Sequence, residues 1–300
     1  MNDWKENVKM ENKDIFSNNV SRIIIESYNL CNRKCFMCPQ SLGVRKDEYE
    51  EFPDDLFWKL VCELKSIDYS RWIAFGRYHE PLLFHKLTLE RIKMVHKELP
   101  LAKIMLNTNG DFINKELLFE LSKSGVVELK IMCYQGKKFS DDVAEGLCNK
   151  MIQNLGLEVK KMSCTPGVIT KYEIVPIGNM KIVIKSENYN NVERGCNRGG
   201  LLEGFNNYVR DIRCDVPIKN IDIDYNGYIL PCNNLLSDAV SHKPYVLGNI
   251  RDMTIYDAYV KCLKSEFVKR IYSADFSCDA VCQNCSYLYD TSNLNIDYVL

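Results

Sequence analysis

Three hundred residues with 46% apolar content can bury a sizeable core in one large domain or two. A net charge of −1, from 39 basic against 40 acidic side chains, leaves no positive excess to hold nucleic acid or anionic lipid, and no apolar run approaches the ~20 residues that span a bilayer. The polar start (Asn2, Asp3, Lys5, Glu6) lacks the apolar core of an export signal, so the fourteen cysteines suggest a reducing cytoplasm and metal ligation rather than disulfides.

The first twenty residues are polar and read as an arm or a short helix. The β-branched run Ile23-Ile24-Ile25 predicts a strand over 22–28, which delivers Cys31-Asn32-Arg33-Lys34-Cys35-Phe36-Met37-Cys38. Three thiolates spaced Cys-x3-Cys-x2-Cys can converge on one metal centre. On a four-iron cluster they leave one iron open to a small-molecule ligand, whereas tetrahedral zinc would need a fourth ligand from elsewhere. Pro53, Asp54 and Asp55 open a helix over 54–67 with Leu56, Leu60, Val61 and Leu64 on one face.

A strand over 71–76 runs into Gly76-Arg77-Tyr78-His79-Glu80-Pro81, and a helix over 88–99 stops at Pro100. A strand over 103–106 breaks at Asn107-Thr108-Asn109-Gly110, and Asn114 caps a helix to Ser124. A strand over 126–133 leads to Cys133-Tyr134-Gln135-Gly136, and Ser140 or Asp141 opens a helix to about 155. Strand–helix alternation predicts a parallel sheet with crossover helices. Such folds place their chemistry at the carboxyl ends of the strands, so these four loops are expected on one face.

After residue 156 the pattern loosens. A late barrel strand is expected over 181–185, followed by the turn Cys196-Asn197-Arg198-Gly199-Gly200. From about 208 the alternation of Ile221, Ile223 and Tyr225 with Asp222 and Asp224, the turn Asn226-Gly227 and then Tyr228-Ile229-Leu230 form a hairpin signature. Cys214 and Cys232 sit at its ends, and a helical stretch over 255–271 precedes Cys278, Cys282 and Cys285.

The Cys31, Cys35, Cys38 spacing after a strand resembles the radical S-adenosylmethionine (SAM) superfamily. Cys214, Gly227, Cys232 and Cys282-x2-Cys285 resemble its auxiliary-cluster modules, SPASM and the shorter twitch; with no cysteine after Cys285, twitch fits better. Glu80-Pro81-Leu82, Thr108-Asn109-Gly110-Asp111-Phe112, Asn197-Arg198-Gly199-Gly200, Leu230-Pro231-Cys232, Leu247-Gly248-Asn249-Ile250 and the terminal Asp297-Tyr298-Val299-Leu300 are similar, in matching order, to twitch-type dehydrogenases. These oxidise an amino-cyclitol hydroxyl to a ketone without nicotinamide.

The resemblance implies an α/β fold: a partial (β/α)6 TIM-like barrel over 21–205, a polar arm over 1–20, and a small β-hairpin-plus-helix twitch domain over 206–300. It implies two [4Fe-4S] clusters. Cys31, Cys35 and Cys38 would hold the catalytic one, with SAM on its open iron. Cys214, Cys232, Cys282 and Cys285 would hold the auxiliary one, with structural zinc as the competing occupant and Cys278 as an alternative ligand. Glu80 resembles the acidic end of the Gly-Gly-Glu turn that binds the SAM ammonium, with Tyr78 and His79 replacing the usual small pair. Asn107, Asn109 and Gln135 complete the cofactor-binding set.

Tyr134 is a candidate for ribose or substrate. Arg198 resembles the arginine that meets the substrate hydroxyl, a solvated turn arginine being the alternative, and Asn233 stands where the family carries an aromatic. Cys133 and Cys196 are candidate hydrogen-atom donors, as in epimerases, while Cys62, Cys148 and Cys262 read as packing thiols. The expected function is oxidation of a C–H/alcohol of an amino-cyclitol, aminoglycoside or related small molecule, with epimerisation of a sugar or peptide, or modification of a ribosomal peptide, as alternatives. Its electrons would come from a flavodoxin- or ferredoxin-type reductant.

Overall fold

The computed structural model describes residues 3–191, 194–205 and 208–287, so the terminal Asp297-Tyr298-Val299-Leu300 lies outside the described residues. Helix α1 (Asp3–Asn19) precedes three strand–helix pairs: β1 (Arg22–Ile25) with α2 (Asp54–Lys65), β2 (Trp72–Phe75) with α3 (His85–Glu98), and β3 (Lys103–Thr108) with α4 (Lys115–Lys123). A fourth pair, β4 (Val126–Met132) with α5 (Asp141–Leu155), completes the regular part. Asn114 caps α4 through its side-chain oxygen, which accepts from Leu117 N at 2.8 Å, and Ser140 caps α5 in the same way.

Several boundaries differ from the sequence reading, and strand β1 ends at Ile25 rather than at 28. Helix α3 begins at His85 rather than 88, and the hydroxyl of Thr88 donates to Pro81 O at 2.6 Å from inside it. Strand β3 extends to Thr108 because Asn107 and Thr108 still pair with Lys130 and Ile131 of β4.

The loosened stretch after α5 is an antiparallel meander: β5 (Val159–Thr165), β6 (Ile169–Ile177) and β7 (Met180–Glu187). Only β7 was expected. All seven residues of β5 are exposed, so it carries no half-buried alternation by which a strand is read. The C-terminal part holds α6 (Val216–Lys219), β8 (Asn220–Ile223), β9 (Tyr228–Leu230), β10 (Gly248–Asn249), α7 (Ile255–Leu263), α8 (Glu266–Tyr272) and α9 (Ala280–Gln283). The single helix expected over 255–271 is two, because the Ser265 hydroxyl accepts from Val268 N and starts a new helix there.

All ten strands form one sheet, ordered β10-β9-β8-β1-β2-β3-β4-β7-β6-β5. Pairing is parallel from β8 through β1, β2, β3 and β4 to β7. The sheet is therefore an open, partial barrel, and its sixth parallel strand, β8, comes from the C-terminal hairpin rather than from a sixth strand–helix repeat. Residues such as Ile23, Ile73, Ile104, Leu129 and Ile182 pack outward against the helices in one continuous core. The alternate residues face the concave side.

The N-terminal segment is also tied down. Phe16 is fully buried, edge-on to Tyr256 at 5.3 Å and to Tyr259 at 5.5 Å, and Asn12 donates to Asp257 at 2.8 Å. Helix α1 thereby fastens the start of the barrel to α7. Among the described residues no helix is long and apolar enough to cross a membrane.

Candidate active site

Period-two alternation builds one cavity of about 310 Å³ at the carboxyl end of the parallel strands. Ile24, Ala74, Met105, Lys130 and Met132 form its floor, and Cys31, Cys35, Cys38, Glu80, Asn107, Asn109, Tyr134 and Arg198 stand round its rim. Gly76 allows β2 to end hard against β3: a Cβ there would lie 2.7 Å from Asn107 O. The cysteine loop is moored to the end of β3. Arg33 grips Asp111 with two parallel bonds, Asn32 Nδ2 donates to Asp111 at 2.7 Å, and Asn109 Nδ2 donates to Asn32 at 2.8 Å.

Glu80 is buried, and its carboxylate accepts from Thr108 Oγ1 at 2.5 Å, Asn109 N at 2.7 Å and Leu82 N at 3.0 Å. Burial raises its pKa and these bonds oppose the rise. A carboxylate has about four acceptor positions, so room remains for a cation from the cavity. Thr108 was not singled out in the sequence, although its place between Asn107 and Asn109 marked the right loop.

Tyr78 is buried; its hydroxyl donates to Asn233 O at 2.6 Å, and the guanidinium groups of Arg77 and Arg198 lie 4.9 and 5.8 Å from its ring centroid. The His79 ring packs edge-on to Tyr28 at 4.7 Å, and burial lowers its pKa to about 4, so it is neutral at ordinary pH. Arg198 holds a left-handed backbone conformation (φ 51°) and is half-buried at the rim, with Nη1 donating to Asn234 Oδ1 at 2.9 Å and Nε to Met37 O at 3.4 Å. It is not a solvated turn residue. Tyr189, missed in the sequence, lines the cavity with its ring 5.9 Å from Tyr134.

Three expected site residues point elsewhere. Cys133 follows Met132 and precedes Tyr134, both of which line the cavity, so alternation turns it into the core against Cys148 of α5. Cys196 is buried outside the cavity lining and donates its thiol to Asn234 Oδ1 at 3.1 Å. Gln135 spends its amide on Ser140 and on Ser186 Oγ at 3.1 Å.

A second, smaller cavity has Cys214, Cys232, Cys282 and Cys285 in its wall, together with apolar Val216, Leu235, Phe267 and Val281. Cys278 is exposed and is not part of that wall. Arg210, also missed in the sequence, clamps this region by donating to Cys285 O at 3.0 Å, Tyr287 O at 2.9 Å and Arg213 O at 3.0 Å. Tyr287 lines both cavities, so one side chain forms part of the partition between them.

Comparison with known proteins places this architecture. The S-adenosyl-L-methionine-dependent 2-deoxy-scyllo-inosamine dehydrogenase of Niallia circulans is 26% identical over 281 residues, which is 93% of this chain and 98% of that protein. The crystal structure of BtrN in complex with AdoMet and 2-DOIA superposes with a TM-score of 0.67 at 24% identity, over 94% of this chain and 98% of the other. The structure of BtrN in an open conformation gives 0.58 at 21% identity, over 89% and 92%. Residues 214–286 match SPASM, an iron–sulfur cluster-binding domain. The chain is thus similar along nearly its whole length to an S-adenosyl-L-methionine-dependent dehydrogenase, and its C-terminal part matches an iron–sulfur cluster-binding domain.

The two sets of cysteines suit clusters. Burial pushes the Cys31 thiol up to about 11 and raises Cys35 and Cys38 as well, with cysteine neighbours adding to the rise at Cys31 and Cys35. Burial likewise raises Cys214, Cys232 and Cys282, and lifts Cys285 to about 12, with mutual repulsion again contributing to the last three. Such groups become thiolates together only around a cationic centre. The four C-terminal thiols line one cavity together.

Proposed function

We propose that this protein is a radical SAM dehydrogenase that oxidises a carbinol of an amino-cyclitol or related polar small molecule. Cys31, Cys35 and Cys38 hold the catalytic cluster, and Cys214, Cys232, Cys282 and Cys285 the auxiliary one, within a domain over 206–300. When bound, SAM and the clusters supply a 5′-deoxyadenosyl radical that takes the carbinol hydrogen atom, and an acceptor for the electron left as the hydroxyl proton departs. Glu80 receives the SAM ammonium, with Asn107 and Asn109 beside it at the end of β3. Arg198 meets the carbinol oxygen and favours its alkoxide form, while Tyr134 and Tyr189 wall the cavity against water. Asn233, on the cavity wall, presents an amide to a polar substrate. A flavodoxin- or ferredoxin-type protein supplies electrons to the catalytic cluster.

The observation that carries this reading is the adjacency of the two thiol-lined cavities through Tyr287. It gives an electron leaving the substrate a short route to an acceptor. Epimerisation would need a thiol facing the substrate, and Cys133 and Cys196 both face elsewhere.

Anaerobically reconstituted protein is expected to carry about eight irons per chain, and the Cys31, Cys35 and Cys38 triple alanine variant about half of that. With 2-deoxy-scyllo-inosamine and related amino-cyclitols in heavy water, the expected product is a carbonyl, formed with one 5′-deoxyadenosine. A recovered alcohol carrying one deuterium at the reacting carbon would identify an epimerase, and zinc at the four C-terminal cysteines would remove the electron acceptor from the scheme.

Glu80→Gln keeps an acceptor for Thr108 and Asn109 but loses the negative charge that a SAM ammonium would meet. A charge-assisted bond contributes about 1.5–3 kcal/mol, so SAM affinity measured by calorimetry should fall roughly 10–100-fold with the iron content unchanged. Unaltered affinity would move the ammonium site elsewhere.

A further inference from the structure

We propose that Asn234 is the positioning residue that joins Arg198 to the auxiliary cluster and sets that cluster's reduction potential. The proposal rests on the cluster-binding role of Cys232 and Cys285 argued above.

Asn234 is 2% exposed, and both ends of its amide are committed. Its backbone N donates to Cys232 Sγ at 3.4 Å, and Nδ2 donates to Cys285 Sγ at 3.8 Å. On the other side, Oδ1 accepts from Arg198 Nη1 at 2.9 Å and from Cys196 Sγ at 3.1 Å. The orientation is determined by its partners: a flipped amide would set Nδ2 against a guanidinium donor. One buried residue therefore touches two thiols of the auxiliary set, Cys232 through its backbone N–H and Cys285 through its side chain, and the substrate-side cation at once.

The surrounding loops are built to keep it there. His242 is fully buried; its Nδ1 accepts from Leu236 N at 2.9 Å, which leaves the proton on Nε2 to donate to Gly199 O at 2.8 Å. The turn bearing Arg198 and the loop bearing Asn234 are thereby clamped together. Gly199 is required by that closeness: a Cβ there would lie 2.6 Å from His242 Nε2 and 3.2 Å from Asn234 O.

N–H bonds to cluster sulfurs stabilise the reduced, more negative state and raise the potential. Asn234 supplies two of them while holding Arg198 at the cavity rim. A cluster held by these cysteines would accept the electron that the substrate gives up together with its hydroxyl proton. A higher potential favours the transfer.

The test uses full-length, reconstituted protein. Asn234→Asp keeps the oxygen that accepts from Arg198 and Cys196 but replaces the donor to Cys285 by an anion. In the Cys31, Cys35 and Cys38 alanine background only the auxiliary cluster remains, so its midpoint can be read by a redox titration followed by electron paramagnetic resonance. The expected result is a midpoint clearly more negative than that of Asn234, with full iron in the site. In the otherwise wild-type chain, the product formed per SAM cleaved should fall about tenfold or more, with KM little changed. Asn234→Ala should lower the midpoint and raise KM as well, because Arg198 loses its acceptor. An unchanged midpoint in the near-isosteric Asn234→Asp variant, or loss of its iron, would overturn the proposal, since either outcome assigns Asn234 a purely structural role. The titration contains neither SAM nor substrate, so its failure is distinct from a failure of the dehydrogenase reading.

Discussion

Arg198→Ala is expected to slow carbonyl formation by about 10²–10³-fold, the usual loss on removing one preorganised donor from a developing oxyanion. Cleavage of SAM should continue, because the cysteine loop and the Glu80 turn are untouched. The expectation follows from position: Arg198 is held at the rim by Asn234 Oδ1 at 2.9 Å and Met37 O at 3.4 Å, with its guanidinium 5.8 Å from the ring centroid of Tyr78. Arg198→Lys keeps a charge without the planar fork that serves Asn234 and a substrate oxygen together, so it should recover only part of the rate. Counting 5′-deoxyadenosine and carbonyl product in the same reaction separates the two steps. Equal losses of both would mean that Arg198 supports the catalytic cluster rather than the substrate.

Glu26→Ala should have the largest effect on stability, at about 3–5 kcal/mol, because it strands two buried arginines. Glu26 is fully buried just after β1; it takes a bidentate pair from Arg45 at 2.9 and 2.6 Å, a bond from Arg77 at 3.2 Å and one from Tyr78 N at 2.9 Å. Arg45 reaches on to Asp238 at 3.0 Å, and Arg77 lies 3.6 Å from Asp222. The network thus joins the cysteine loop, the Glu80 turn and the C-terminal part beneath the cavity. Burial alone would raise the pKa of Glu26, but Arg45 and Arg77 outweigh it and hold the carboxyl at about 2.

A carboxyl whose pKa is lowered on folding stabilises the fold above its unfolded value and loses that contribution as pH falls through its folded one. For Glu26 the window runs from about 4.5 down to about 2. Burial shifts Asp222 and Asp224 the other way, to about 7 and about 6, so the whole-protein curve mixes both signs. The difference in unfolding free energy between wild type and Glu26→Gln isolates Glu26. It should be largest above pH 5 and shrink steadily towards pH 2. A difference that stays flat across this range would mean that Glu26 is not charged in the folded protein.

Much of the candidate site could be read from the sequence because its signals are short in range. Cys31, Cys35 and Cys38 lie within eight residues, Asn114 and Ser140 cap helices three residues on, and the β8–β9 hairpin declares itself through Asn226-Gly227 between alternating apolar residues. Local spacing determines which groups a loop can gather, so the Cys31, Cys35, Cys38 set and the alternation of strand and helix followed from the residues alone, whereas the set of Cys214, Cys232, Cys282 and Cys285 and the role of Glu80 came from the resemblance to a known family. Cys133 could have been read better: beside Tyr134 on a strand, only one of the two can face the cavity.

What only the tertiary structure decided depends on contacts between distant segments. The sixth parallel strand is β8, paired with β1 across nearly 200 residues. The polar start becomes a docked helix because Phe16 finds Tyr256 and Tyr259. Strand β5 exists because β6 offers it an edge, not because its own residues alternate. Asn234 is an ordinary loop residue in the sequence. It becomes a junction only when the Arg198 turn, Cys232 and Cys285 are folded against it, since hydrogen bonds are decided by distances of about 3 Å that no spacing along the chain encodes.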